Sequence, residues 1–122
     1  MNAGDPHFDC GIGPAFAVIG GRWKAAILWE LNGQTRRFGK LRRLLPGISE
    51  KMLIQQLREL VADGLVLRVA RNAVPPHVEY SLTPLGESLN RALGPLADWG
   101  VHYAQVREGS AAVTPQPEAS TR

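Results

Sequence analysis

Leu53, Leu57, Leu60 and Val61 recur at helical steps, and Lys51, Gln55, Arg58 and Ala62 stand between them. At about 100° per residue the first set falls in one stripe and the second lies opposite. The punctuation agrees with the period. Ser49 can cap the first free N–H groups and Gly64 can take the left-handed turn that ends a helix, so the pattern predicts a helix from Ser49 to Gly64. Met52 stands three residues after Ser49, which makes this a plain cap and not a capping box.

The same period predicts three earlier helices. One opens at Gly13-Pro14 and ends at Ile19 before Gly20-Gly21. The next runs from about Arg22 to Leu31, with Trp23, Ile27, Leu28 and Leu31 inward and Gly33 past its end. The third covers Phe38 to Leu45, burying Phe38, Leu41 and Leu45 while Arg37, Lys40 and Arg43 face out. Thr35 to Arg37 reads as a short strand or an extended link, and Pro46-Gly47 is a tight turn. The period then shortens to two. Leu65–Arg71 and Val78–Leu82 read as strands joined through Asn72-Ala73-Val74-Pro75-Pro76, a stiffened turn.

Thr83-Pro84 starts a last long helix, with proline where the first turn tolerates it. Leu85, Ala92, Trp99 and Val106 repeat every seven residues, as do Leu89, Leu96 and Tyr103, and Leu93 widens the stripe. Gly94-Pro95 marks a kink. Residues 1–9 read as a flexible start and 110–122, with Pro115 and Pro117, as a disordered tail. The domain is 10–109. The fold class is mainly α with a small β-hairpin, a winged helix-turn-helix.

Composition narrows the function. A chain of 122 residues is one domain, and its apolar runs are too short for a membrane span or a signal peptide, so the expected location is cytoplasmic. One cysteine allows no internal disulfide. The net charge of +3 hides an asymmetry: Arg36 to Arg71 alone carries +6. A basic middle coinciding with two helices, a turn and a hairpin fits a face that meets a polyanion.

On that face the predicted base-reading set is Ser49, Lys51, Met52, Gln55, Gln56 and Arg58, since Gln pairs with adenine edges and Lys or Arg with guanine. Arg36, Arg37, Lys40 and Arg43 are the expected phosphate clamps, and Arg68, Arg71 and His77 flank the wing turn. Large side chains at Leu96, Trp99 and Tyr103 lie beyond the reach of so small a core. A homodimer interface of Phe16, Leu89, Leu96, Trp99 and Tyr103 would cover them, although Leu85 and Leu89 also suit the domain's own core. Cys10 is either a small buried hydrophobe or a sensor thiol, and Asp9 beside it disfavours the thiolate.

Enzymatic signatures are lacking. Gly11-Ile12-Gly13 has Phe16 where a dinucleotide loop needs its third glycine, and His7, His77 and His102 lack metal-ligand spacing. The expectation is a non-enzyme without metal or cofactor. Two rivals to sequence-specific DNA binding remain open, a winged helix that docks an acidic protein and a non-specific nucleoid-associated binder.

Several longer motifs carry a resemblance. Cys10, Ile19-Gly20-Gly21-Arg22-Trp23, Arg37-Phe38, Pro46-Gly47-Ile48-Ser49-Glu50-Lys51-Met52-Leu53 and Gln56-Leu57-Arg58-Glu59-Leu60 resemble the HxlR family of bacterial transcriptional regulators. Asp63-Gly64-Leu65-Val66, the run from Pro75 to Gly86 and Asp98-Trp99-Gly100 continue the match, which covers about Cys10 to Gly100. The resemblance implies a winged helix related to the MarR type, a dimer built from the first and last helices, and operator binding; the expected protein is a homodimeric regulator, a repressor in the first place and an activator in the second, on a pseudo-palindromic operator. It also implies that a cysteine at the place of Cys10 senses electrophiles or oxidants. The usual Cys-Pro is here Cys10-Gly11, and a small-molecule effector at the dimer interface is the rival signal.

Overall fold

Glycine and proline divide the chain where the hydrophobic period breaks. The computed structural model describes residues 11–112, with side chains over 11–109; Cys10, the expected flexible start and residues 113–122 lie outside them. Five helices and three strands follow one another as α1 (Ile12–Ile19), α2 (Lys24–Glu30), β1 (Arg36–Arg37), α3 (Phe38–Leu44), α4 (Glu50–Ala62), β2 (Val66–Arg71), β3 (His77–Leu82) and α5 (Pro84–Ala112). No described helix is long and apolar enough to cross a membrane. The chain forms two compact units, one ending at Asn90 and the other beginning at Arg91.

In the first unit, α2, α3 and α4 bury Ile27, Leu28, Leu31, Leu41, Leu45, Leu53, Leu57 and Leu60. Fully burying a leucine or isoleucine contributes about 1.5–3 kcal/mol, so this cluster is the main source of the unit's stability. Trp23, Phe38 and Val61 are only half-buried, against the expectation that they are core. Trp23 precedes α2 as its N-cap, and the Arg22 guanidinium lies 4.6 Å over its ring. Phe38 opens α3 and lines a surface cleft, and Val61 shares that lining.

The hairpin gains a third strand. β1 pairs antiparallel with β3, giving the order β1-β3-β2, so the extended link before α3 is the sheet's edge. In the β2–β3 register Val66 opposes Leu82 and Arg68 opposes Tyr80, while Arg71 opposes His77. Period-two alternation puts Val66, Val78, Tyr80 and Leu82 on one face, and Val66 and Tyr80 on it are buried.

At the junction of β3 and α5 three bonds set the helix's rotation. Thr83 N–H donates to Leu65 O (3.1 Å), Thr83 Oγ1 donates to Gly64 O (2.6 Å), and Gly86 N–H donates to Thr83 Oγ1 (3.0 Å). The inward positions are therefore Gly86 and Asn90, and Leu85 is 58% exposed. This corrects the placement of Leu85 in the core, because the cap geometry and not the heptad determines which side faces in. Asn90 is buried and donates through Nδ2 to Leu28 O at 2.7 Å, tying α5's first turns to the end of α2.

The second unit contains the remainder of α5. Trp99 and Tyr103, one turn apart, stack with ring centroids 5.2 Å apart and 18° between planes. The helix runs without a break through Pro95 and extends to Ala112, past residue 110 where the tail was expected to begin. Ala111 and Ala112 favour helix, and the next helix breaker in the sequence is Pro115.

Candidate nucleic-acid interface

The helix-turn-helix is built around one turn. Leu45-Pro46-Gly47-Ile48 closes with Ile48 N–H donating to Leu45 O at 3.2 Å, and Gly47 takes φ +93°. Proline then glycine at the two central positions is the combination a type II turn requires. Ser49 begins α4 as predicted: its Oγ accepts from Met52 N–H at 3.0 Å. Arg42 of α3 reaches Glu50 of α4 at 3.5 Å, an exposed pair that links the two helices weakly.

With Leu53, Leu57 and Leu60 buried, the opposite side of α4 presents Lys51, Gln55 and Arg58 to solvent. Met52 and Gln56 fall on its flank and contact each other, Gln56 Nε2 donating to Met52 Sδ at 3.5 Å. Beside this face lies an open cleft of about 980 Å³ between α3, α4 and the sheet. Its floor includes Phe38, Ile54, Val61 and Tyr80. Arg37, Lys40, Arg43, Arg58 and Arg68 supply its positive lining, with His77 at its edge, so cations from four segments converge on one concave surface.

The predicted clamps and wing residues divide into free and engaged groups. Arg37, Lys40, Arg43 and Arg68 are exposed. Arg36 is half-buried, its Nε donating to Glu30 O at 2.6 Å, so its guanidinium closes the end of α2. Arg71 and His77 converge on Glu79, at 3.0 Å and 2.8 Å. The His77 hydrogen bond, then that of Arg71, holds the Glu79 carboxyl below the usual carboxylate range. On α1, no residue is buried and Phe16 is 55% exposed.

Two residues outside the predicted set contact this site. Lys24 of α2 meets Glu59 of α4 at 2.6 Å, and Gln55 Nε2 donates to the other oxygen of Glu59 at 3.3 Å. The Lys24 hydrogen bond first, then that of Gln55, lowers the Glu59 pKa. The four-residue spacing of Gln55 and Glu59 was visible in the sequence. The approach of Lys24 was not, since it depends on how α2 crosses α4.

Comparison with known proteins agrees with this geometry. The model of an HxlR-like helix-turn-helix family matches residues 18–108. The HTH-type transcriptional regulator YkvN of Bacillus subtilis is 51% identical over 98 residues, 80% of this chain and 83% of that protein. Among solved structures, the redox regulator HypR in its reduced form aligns with TM-score 0.76 at 39% identity, covering 81% of this chain and 98% of that one. The reduced transcriptional regulator YodB of B. subtilis aligns with TM-score 0.66 at 31% identity, covering 73% and 87%.

Proposed function

The chain belongs to the HxlR-like helix-turn-helix family of transcriptional regulators, and on that premise we propose that it acts as a homodimer on a pseudo-palindromic operator. The observation that carries this reading is the polar side of α4, with Lys51, Gln55 and Arg58 exposed beside a cleft lined by Arg37, Lys40, Arg43 and Arg68. Two copies of α4 enter successive major grooves about 34 Å apart. Lys51, Gln55 and Arg58 read bases, with Ser49 at the helix start and Met52 and Gln56 along the flank. Arg37, Lys40 and Arg43 hold phosphates, and Arg68 does so from the wing.

The dimer follows from apolar surface. Phe16 on α1, and Leu96, Trp99 and Tyr103 on α5, form stripes that a second copy covers, with Leu89 continuing the α5 stripe. Bound at a promoter, such a dimer blocks transcription, and Cys10 supplies the signal as a thiol that oxidants or electrophiles modify. The likeness to redox regulators supports that signal, with a small molecule at the dimer interface as the competing input.

Selection from a random duplex library tests the DNA reading. The expected product is an inverted repeat bound far more tightly than scrambled duplex. Equal binding to every duplex would identify a non-specific nucleoid binder, and no binding even at low salt would identify a protein-docking module. For the signal, diamide treatment of the wild type should change operator affinity, and Cys10→Ser should abolish the change. A response retained in Cys10→Ser would rule out Cys10.

A further inference from the structure

Gln55 lies on the exposed side of α4, opposite the buried leucines, and its amide is not free to turn. Its Nε2 donates to one carboxylate oxygen of Glu59 at 3.3 Å, and the other oxygen of Glu59 accepts from Lys24 Nζ at 2.6 Å. Lys24 is anchored: it stands at the start of α2, and its side chain is 12% exposed. The bonds thus form a relay from a buried-sided lysine through a carboxylate to a solvent-facing amide.

The relay has a direction fixed by chemistry. An amide nitrogen can donate to a carboxylate and an amide oxygen cannot, so the bond determines which end of the Gln55 amide faces Glu59. The nitrogen carries two hydrogens. With one held by Glu59, the other and Oε1 remain available together. One donor beside one acceptor is the complement of adenine's major-groove edge, N7 and the N6 amino group. Lys24 also offsets the negative charge that Glu59 would otherwise bring near phosphates.

We infer that Glu59, held by Lys24, is a positioning residue for base specificity: it presents the donor–acceptor edge of Gln55 to adenine. This rests on the reading of Gln55 as a base reader, and Glu59 itself touches no base. Without Glu59 the amide rotates freely, and its two orientations favour different bases, so selectivity falls at one position of each half-site while the rest of the site is read as before.

The experiment is selection from a random duplex library with the full chain, followed by titration of the selected site and its single base-pair substitutions. Gln55→Ala should remove the preference for adenine at one position per half-site. Glu59→Ala should reduce that same preference by roughly 2- to 10-fold, the range for ordering one flexible side chain, and leave other positions unchanged. Glu59→Gln should not restore it: Lys24 can only donate and takes the one amide oxygen, which leaves an amide nitrogen facing Gln55 and favours the reversed orientation. Adding Glu59→Ala to Gln55→Ala should have no further effect on selectivity. If the alanine variant is unstable, Glu59→Asp keeps the charge but withdraws the acceptor by one methylene, and should show the same loss. An equal weakening on all sequences, or an unchanged motif while Gln55→Ala alters it, would overturn the positioning role alone. A motif unchanged by Gln55→Ala would overturn the base reading and the inference with it.

Discussion

Ser49 and Gly86 show how single residues determine this architecture. Ser49 satisfies an N–H of α4 that no helical carbonyl can reach. Ser49→Ala should cost about 1 kcal/mol in urea denaturation, with no change in the slope of the transition. Gly86 is a matter of space. A Cβ built there would collide with the Leu65 carbonyl oxygen, and the obstacle is backbone that cannot swing aside. Gly86→Ala should destabilise the fold by about 1–3 kcal/mol, despite alanine's better helix propensity. A variant as stable as the wild type would show that α5 can move off the Leu65 backbone without penalty. The role of Ser49 was legible from its position before an apolar period. That of Gly86 was not, because nothing local distinguishes a glycine that packs from one that merely weakens a helix.

At the scale of elements, the wing strand β3 carries a pH-dependent contact. Glu79 accepts from His77 and Arg71, which lowers its pKa in the folded chain. A depressed carboxylate pKa contributes stability that is present above the unfolded value and lost as pH falls through the folded value. The stability gap between wild type and Glu79→Gln should therefore be present above about pH 4.5 and narrow as pH drops below it. A gap constant from pH 7 to pH 3 would exclude a role for that charge. The strands themselves were readable by alternation, including their β2–β3 pairing. The two-residue β1 was readable only as a short strand or an extended link, since its partner, β3, lies more than forty residues on. The heptad of α5 gave the helix but misplaced Leu85, because a period sets spacing and leaves rotation to the Thr83 junction.

For the molecule as a whole, charge and apolar surface lead to two measurements. Positive charge is concentrated between Arg36 and Arg71, and the exposed side chains of Lys40 and Arg43 line one cleft. Arg43→Ala should weaken binding to all duplexes about equally and reduce the salt slope by about 1, as loss of one phosphate contact requires. A loss confined to one sequence would move Arg43 to the base-reading set. The apolar stripes of α1 and α5 predict a dimer at micromolar concentration by light scattering. Trp99→Asp should shift it toward monomer, and a monomeric wild type would remove the dimer from the proposal.

Sequence alone determined the features that depend on near neighbours: helix periods, the Ser49 cap, the Pro46-Gly47 turn, strand alternation and the concentration of charge. Each is a relation between residues a few positions apart, and local sterics and hydrogen bonding suffice to decide it. Only tertiary structure decided which polar groups are free. Arg36 and Arg37 are adjacent cations that both line the cleft, yet Arg36 is half-buried and bonded to the end of α2 while Arg37 is exposed. Glu59 is one acid among many until α2 brings Lys24 to it. A side chain's availability depends on which distant partner the fold places beside it, and that partner is chosen by packing of the buried core.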